Sequence, residues 1–528
     1  MRNLHIPSRS PIYSKNAMVA TSHPEATLKA LEIMKKGGNA IDAAVTAAAV
    51  LGVVEAHSTG IGGDCFCLFY SNKEKRIIAL NGSGHVPKNI NYSDIKKTAF
   101  NTIDPYSYNA ITIPGAVDAW CKLIEDYGNL KLSQVLEPAI KIAEEGYVVA
   151  DVIADMWLRE EQKLKNDIDT NRIFLKNNKA YKAGDIHKQQ QLAETLSNIA
   201  VHGRKGFYEG FVVDDMLEKI RQLGGSHTRE DFMSYKSEYV NPIKVDYKGY
   251  EVYECPPNGQ GIVALMMLNM LSNLDITKYD PNDYRRIHIE AEVTKLAFLH
   301  RNKYLGDPSF ADIPIEKMLS KEYGLSLSKK IDVNSVLTDI NILQLQNNKD
   351  TVYISVVDND GNFVSFINSI FHPFGSGITT KNTGILLHNR GASFNLDKGH
   401  PNFYEAQKKP MHTIIPGLLM KESRPIMPFG VMGAHYQPVG QVHFLTNVID
   451  YGMDVQLALD HSRAFYFENH LTLEKGITLE NYSKLEQLGH KVNYCDLPHG
   501  GGQAVMLNDN GILIGGSDPR KDGLALGF

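Results

Sequence analysis

Between Asn347 and Gly377 the chain reads NNKDTVYISVVDNDGNFVSFINSIFHPFGSG, and no other stretch restricts its folding as much. A polar, Asn-rich run gives way at Asp350-Thr351 to TVYISVV (351–357). NFVSFINSI (362–370) answers it across Asp358-Asn-Asp-Gly361. Both runs are rich in β-branched and aromatic residues and read as strands. Gly361 suits the left-handed position that closes a three-residue loop, Asn359-Asp360-Gly361. That loop pairs Asp358 with Asn362 and, counting outward, Thr351 with Ser369. Opposed side chains of an antiparallel pair share a face, about 4.5–5.5 Å apart at Cβ. The turn alone therefore predicts a serine hydroxyl beside Thr351.

Two readings fit this pair. Thr opposite Ser is common on the polar face of an ordinary hairpin. Alternatively, a cut between Asp350 and Thr351 would leave a threonine carrying two useful groups. Its hydroxyl is a nucleophile, and its own α-amine is a general base. An α-amine has a reference pKa of about 7.7–8.0 and accepts a proton near neutral pH, where a lysine does not. β-Branching restricts χ1 and aims the hydroxyl. An acyl-transfer site also needs donors for the oxyanion. Gly430-Val-Met-Gly-Ala434 follows a strand-like run, and its consecutive N–H groups could face a tetrahedral oxygen. His499-Gly-Gly-Gly502 looks like a lipase oxyanion loop but lacks a G-x-S-x-G elbow, and reads as a turn.

Upstream, helical spacing covers Pro24–Lys36, Ala40–Val54, Leu132–Glu145, Lys188–Val201, Val212–Leu223, Gln260–Ser272 and Tyr284–Tyr304. A hairpin is expected at Cys65–Leu80. The glycines of STGIGGD (58–64) lie between a helix and a strand, which suits tight turning better than phosphate binding. Ile331–Lys349 loses periodicity and reads as an exposed linker. Beyond it, strands are expected at Thr351–Phe371, Gly384–Leu387, Ile414–Met420, Gln441–Leu445 and Ala504–Leu507, with helices at Val455–Phe465 and Tyr482–Gly489. A helix-rich segment followed by a strand-rich one points to a single layered α/β core. With 528 residues it needs no staples.

The net charge of −5, without a basic block, argues against nucleic acid or an anionic membrane surface as partner. Five cysteines without a CxxC pair suit buried thiols better than disulfides or a zinc ribbon. No His, Asp and Glu set has metal-ligand spacing, so neither metal nor other cofactor is expected. The longest apolar run, Ala43–Val54, is too short to span a bilayer, and MRNLHIPSRSPIYSKN lacks the apolar core of a signal peptide. A soluble cytoplasmic protein is expected.

Several stretches, in this order, resemble the γ-glutamyltransferase (glutathione hydrolase) family of N-terminal nucleophile hydrolases. They are GGNAIDAAV (37–45), STGIGGD (58–64), IPGAVDAW (113–120), YLGDP (304–308), DTVYISVVDNDGN (350–362), FGSG (374–377) and GILLHNRGASF (384–394). The resemblance implies an αββα sandwich made from two intertwined segments, 1–350 and 351–528. It implies autocatalytic cleavage between Asp350 and Thr351, a heterodimer of the fragments, and an acyl-enzyme on Thr351. Ser369 stands where these transferases have a Thr that hydrogen-bonds the nucleophile. Gly433 and Ala434 match a Gly-Gly oxyanion pair, and the alanine departs from it.

Other departures concern the substrate. The loop NGSGHVP (81–87) lacks the family's carboxylate-binding Arg, Ser393 replaces an acidic residue, and His412-Thr413 replaces a Ser-Ser pair. Asn395–Pro416 is too short for the lid loop of many transferases. The pattern is closer to a lidless branch with oxamate amidohydrolase-like members. Asn389, Arg390, His412 and Thr413 become the substrate-binding candidates. The expected function is hydrolysis of γ-glutamyl or similar small carboxylate-bearing amides, with water, amino acids or peptides as acyl acceptors. An oxamate-type amidohydrolase or acylase is one alternative, and an uncleaved binding protein is another.

Overall fold

The computed structural model describes residues 8–338 and 351–528. Val352–Val357 and Phe363–Ser369 pair antiparallel, Val352 opposite Asn368 and Val357 opposite Phe363, as the turn dictates. Gly361 has φ +77° and closes the loop with an N–H bond to Asp358 O. The Asp358 carboxylate accepts from the N–H groups of Asp360 and Asn362. It also reaches Ala40 N at 2.8 Å, which fastens the turn to the start of a central helix.

Fourteen strands form two main sheets. In chain order they are β1 Ile12–Ser14, β2 Met18–Thr21, β3 Asp64–Ser71, β4 Arg76–Gly82, β5 Glu238–Val240, β6 Ile243–Tyr247 and β7 Tyr250–Glu254. They continue with β8 Val352–Val357, β9 Phe363–Ser369, β10 Gly417–Lys421, β11 Arg424–Met432, β12 Gly501–Leu507, β13 Leu513–Ser517 and β14 Leu524–Gly527. One sheet runs β14-β2-β8-β9-β3-β4-β5 and the other β1-β13-β12-β11-β10-β7-β6. Strands from both sides of residue 350 contribute to each sheet.

The period-two pattern of the hairpin sorts its side chains between two interfaces. Val352, Ile354 and Val356 join a core with helices α1 (Pro24–Lys35), α2 (Ala40–Val54), α3 (Ala116–Tyr127) and α4 (Leu132–Glu145). Tyr353, Val357, Phe363 and Ile367 face the other sheet and meet Leu418, Met432 and Val505. A third core packs α5 (Gly261–Leu271), α6 (Tyr284–Tyr304), α7 (Gln437–Ile449) and α8 (Val455–Asp460) on the outer face of the second sheet. Three apolar interfaces separate four layers, giving the αββα sandwich. Helix α2 is buried along its whole length and opens with a reciprocal Asn39–Asp42 capping box.

Several elements differ from the sequence reading. Gln441–Leu445 is helical, within α7. All five residues are buried, and a short apolar run inside a helix covered on every side loses the helical period that would mark it. Helix α8 stops at Asp460, and Ala464–Phe467 is a strand of a small third sheet. Gly384–Leu387 shrinks to Leu386–Leu387. The helix Asp151–Leu164 went unread. Of the expected linker, residues 331–338 form a short bridged turn with exposed and half-buried side chains, and the remainder lies outside the described residues.

Candidate active site

Thr351 and Ser369 sit on the inner face, at the end of the hairpin remote from its turn. Thr351 Oγ1 and Ser369 Oγ are 3.2 Å apart, and both residues are buried. Asp64 is the direct partner of Ser369 on β3, so Thr351, Ser369 and Asp64 lie in a row across three strands. The glycines of STGIGGD serve this junction. A Cβ on Gly63 would lie 2.3 Å from Ser369 O, and one on Gly62 would lie 2.2 Å from Leu386 O. The loop packs backbone against backbone, as its structural reading expected.

Asp64 is fully buried and multiply held. Oδ1 accepts from Gly84 N (3.0 Å) and Gly115 N (3.2 Å). Oδ2 accepts from His412 Nε2 at 2.9 Å, with His388 Nδ1 3.5 Å away. Burial works to raise its pKa, but His388 and His412 outweigh it and hold the carboxyl well below the usual range. His412 is itself pushed down to about 3, by burial first and by Arg390 second. It is therefore a neutral imidazole at physiological pH, donating to Asp64.

Arg390 is completely buried in a short helical turn, its guanidinium 4.1 Å from the centre of the Phe371 ring. Nη1 donates to Thr413 Oγ1 (2.8 Å) and Nη2 to Ser369 Oγ (3.3 Å), while Nε has no partner. Burial pushes its pKa down to about 9, opposed by Asp64. Arg390, Thr413 and His412 thus converge on Ser369 and Asp64. Asn389 does not join them. Its amide donates to Pro105 O and pairs with His372 Nδ1, and its oxygen accepts from His372 N, so it shapes the 371–372 bend instead.

The Gly433–Ala434 turn follows β11. Gly433 has φ +117° and Ala434 φ +47°, so the alanine occupies the left-handed region that its Cβ disfavours by roughly 1–2 kcal/mol. Tyr436 N donates to Gly433 O and fixes the turn. Gln437 follows immediately. Its Nε2 points to Thr351 Oγ1 at 3.5 Å, and its Oε1 accepts from Ile415 N. Gln260 Nε2 donates to Thr413 O and to Ala434 O, both at 2.9 Å, tying the His412–Thr413 segment to the turn. Asp350 lies outside the described residues, and with it the expected cut.

Asp64, Gln260 and Gln437 were missed from sequence. Asp64 stood inside a quoted motif, where only its glycines were read. The two glutamines carry no local signal. The expectation that no metal-ligand set exists also needs amending. His288 and Glu292 lie one turn apart on α6, and the fold brings the distant His490 to them, with ligand atoms within 4.8 Å of one another. There, Lys295 Nζ already sits 2.6 Å from Glu292 Oε1, and the two rings bond each other at 2.8 Å. Lys295 thus neutralises the Glu292 carboxylate, while His490 Nδ1 is buried without a hydrogen-bond partner.

A serine-supported threonine, the buried Arg390 guanidinium and a turn of N–H groups make up a set suited to acyl transfer on an anionic substrate. Comparison with known proteins agrees. The gamma-glutamyltranspeptidase family model matches residues 26–528. The "Glutathione hydrolase-like YwrD proenzyme" of Bacillus subtilis (strain 168) is 37% identical over 527 residues, 97% of this chain and 98% of that protein. The "Oxamate amidohydrolase proenzyme" of Klebsiella pneumoniae is 29% identical over 98% of this chain and 99% of its own length. The crystal structure of a cephalosporin acylase from Bacillus halodurans superposes with a TM-score of 0.92, at 37% identity, covering 100% of this chain and 98% of that one.

Proposed function

The chain belongs to the gamma-glutamyltranspeptidase family, and from that premise we propose that it is a proenzyme whose Thr351 becomes an N-terminal nucleophile for amide hydrolysis. The observation that carries this is the 3.2 Å contact of Thr351 Oγ1 with Ser369 Oγ, beside the turn that Gln437 links to it. Attack of Oγ1 on the Asp350 carbonyl forms an ester and breaks the 350–351 amide bond. That shift frees the α-amine of Thr351, and water then hydrolyses the ester, restoring the Thr351 hydroxyl and leaving Asp350 as the new C-terminus, with a large and a small fragment as a heterodimer.

In turnover, Oγ1 attacks the substrate carbonyl and its proton passes to the α-amine. The Gly433 and Ala434 N–H groups stabilise the oxyanion. The leaving amine departs with that proton, and water hydrolyses the acyl-threonine. Ser369, held by Arg390 and by Phe371 N, orients the nucleophile. Arg390, His412 and Thr413 form the substrate-side wall.

The acyl group is γ-glutamyl or another small carboxylate-bearing group. The unpartnered Nε of Arg390 supports an anionic acyl group, since side-on guanidinium donors suit a carboxylate. Arg390 lies one hydroxyl from the nucleophile, which favours the second reading, an oxamate-type amide with its carboxylate next to the scissile carbonyl. Cys65, Cys67, Cys121 and Cys255 are free thiols, which supports a reducing, cytoplasmic location. Among the described residues no helix is long and apolar enough to cross a membrane.

A denaturing gel tests the core of this reading. Wild type should yield fragments of roughly 39 and 20 kDa, scaled from chain length, and Thr351→Ala should stay whole. A wild type that persists as one chain and hydrolyses no γ-glutamyl anilide, oxamate or simple acyl amide would sink it.

A further inference from the structure

The buried cluster on α6 has the dimensions of an ion site. His288 and Glu292 are fully enclosed, and His490, just beyond the helix Leu479–Gln487, is 6% exposed. Three atoms define the cluster. His288 Nδ1 is 2.8 Å from His490 Nε2 and 3.9 Å from Glu292 Oε1, and His490 Nε2 is 3.8 Å from the same oxygen. A triangle with those sides has one point about 2.1 Å from all three corners. Zinc bonds imidazole at about 2.0–2.1 Å and carboxylate at about 2.0–2.2 Å. An ion about 0.5 Å out of that plane still lies within about 2.2 Å of each ligand, leaving its open side to a water. Two nitrogens and one oxygen suit a zinc-class ion, whereas calcium and magnesium take oxygens.

The outward atoms of two ligands are already held. His288 Nε2 donates to Asp332 O at 2.8 Å. A carbonyl only accepts, so Nε2 carries the proton and Nδ1 presents its lone pair to the cluster. Glu292 Oε2 accepts from Leu337 N at 2.8 Å. Outer partners of this kind fix the tautomer and orientation of metal ligands. A cation also uses the place now. Lys295 Nζ is 2.6 Å from Glu292 Oε1 and 4.5 Å from the centre of the Tyr466 ring. That ring gives the ammonium a second seat when Oε1 turns to an ion. Glu292 is the one carboxylate of the cluster, so ion and ammonium compete for it.

The cluster spans the two segments of the chain. His288 and Glu292 precede residue 350 and His490 follows it. The stretch leading toward Asp350 is bound here as well, since Val336 N donates to Leu488 O at 3.3 Å. We propose that His288, Glu292 and His490 bind one divalent ion of the zinc class, which clasps the large fragment to the small one. The ion site stands on its own geometry, and its role between fragments rests on the cleavage reading.

The test titrates metal-stripped full-length protein with zinc(II) against a chromophoric chelator, and with cobalt(II) by visible absorption. Wild type should bind one equivalent per chain and melt at a higher temperature with zinc than without. His490→Gln should bind at least about tenfold more weakly, and its melting temperature without zinc shows whether it folds. Lys295→Met should bind at least about tenfold more tightly, because it removes the competitor for Glu292; a purely structural ion pair gives no such gain. Equal zinc affinity of wild type and His490→Gln would place the ion on other imidazoles and overturn the site. Lys295→Met that binds no tighter than wild type overturns it too. In cut protein, zinc should raise the urea concentration at which the fragments separate, and should not do so for His490→Gln. Cut wild type that binds no ion refutes the clasp alone. Wild type that binds one ion but stays a single chain refutes the cleavage reading and, with it, the bridge between fragments.

Discussion

Two groups of buried arginines sit in this molecule in opposite electrostatic states. Arg463 Nη2 lies 2.5 Å from Asp518 Oδ2, and Arg520 reaches Glu474 at 2.5 Å and Asp518 at 3.1 Å. Further bonds to His499 O, Leu459 O and His461 O complete both forks. That group locks the Ala464–Phe467 region to β12 and β13. Arg390 and Arg301 are as deeply buried, yet among the described residues neither forms an ion pair with a carboxylate, Asp64 acting on Arg390 only at a distance, and each keeps an unpartnered nitrogen. Compensated charge holds structure together, and uncompensated charge marks where an anion is expected.

The contrast can be broken by experiment. The largest effect on stability should come from Arg463→Met. It takes the nearer of two guanidiniums from the buried Asp518 carboxylate and should cost about 3 kcal/mol, the low end for removing one partner of a buried pair. Urea unfolding measures it. Arg301→Met leaves no stranded carboxylate and should cost far less, and comparable losses from the two would erase the distinction.

Next comes Arg390→Met, which removes the donor that orders Ser369 and Thr413. Loss of a charge-assisted bond at about 1.5–3 kcal/mol corresponds to roughly a 10- to 100-fold fall in kcat/KM. Steady-state rates on an anionic anilide should show it, and an unimpaired variant would exclude Arg390 from the site.

Acid provides the third test. Burial lowers the pKa of His412, His461 and His490 to about 3 and of His23 and His187 to about 4. Each stays neutral in the fold but binds a proton when unfolded once the pH drops below about 6.5. Stability is therefore lost from about pH 6.5 down to those folded values, by up to about 1.4 kcal/mol per unit and per group. A melting temperature that stays flat from pH 7 to 4.5 would contradict this. The smallest effect belongs to Ala434→Gly. Relief of the left-handed strain offsets the entropy of a new glycine, for a net gain below about 1 kcal/mol.

Legibility followed the range of the interactions. The register of β8 on β9 could be read because a three-residue loop with a left-handed glycine sets it locally. Helices with a clear period, such as α1 and α4, were placed closely. Gln441–Leu445 was misread because burial on every side removes the period. Ser369 was found through the turn, whereas Asn389 was nominated by position in a motif and turned out to be occupied with His372 and Pro105. Asp64 escaped notice because its partner His412 is 348 residues away.

By itself, the sequence determined that Thr351 faces Ser369, because turn chemistry and the two-residue period of a strand act within twenty residues. Only the tertiary structure decided what surrounds that pair. It set Asp64 under His412, brought Gln437 to Thr351 Oγ1, and left Arg301 without a carboxylate partner among the described residues. Compensation of a buried charge depends on which distant segments pack against it, and no local pattern in the chain encodes that.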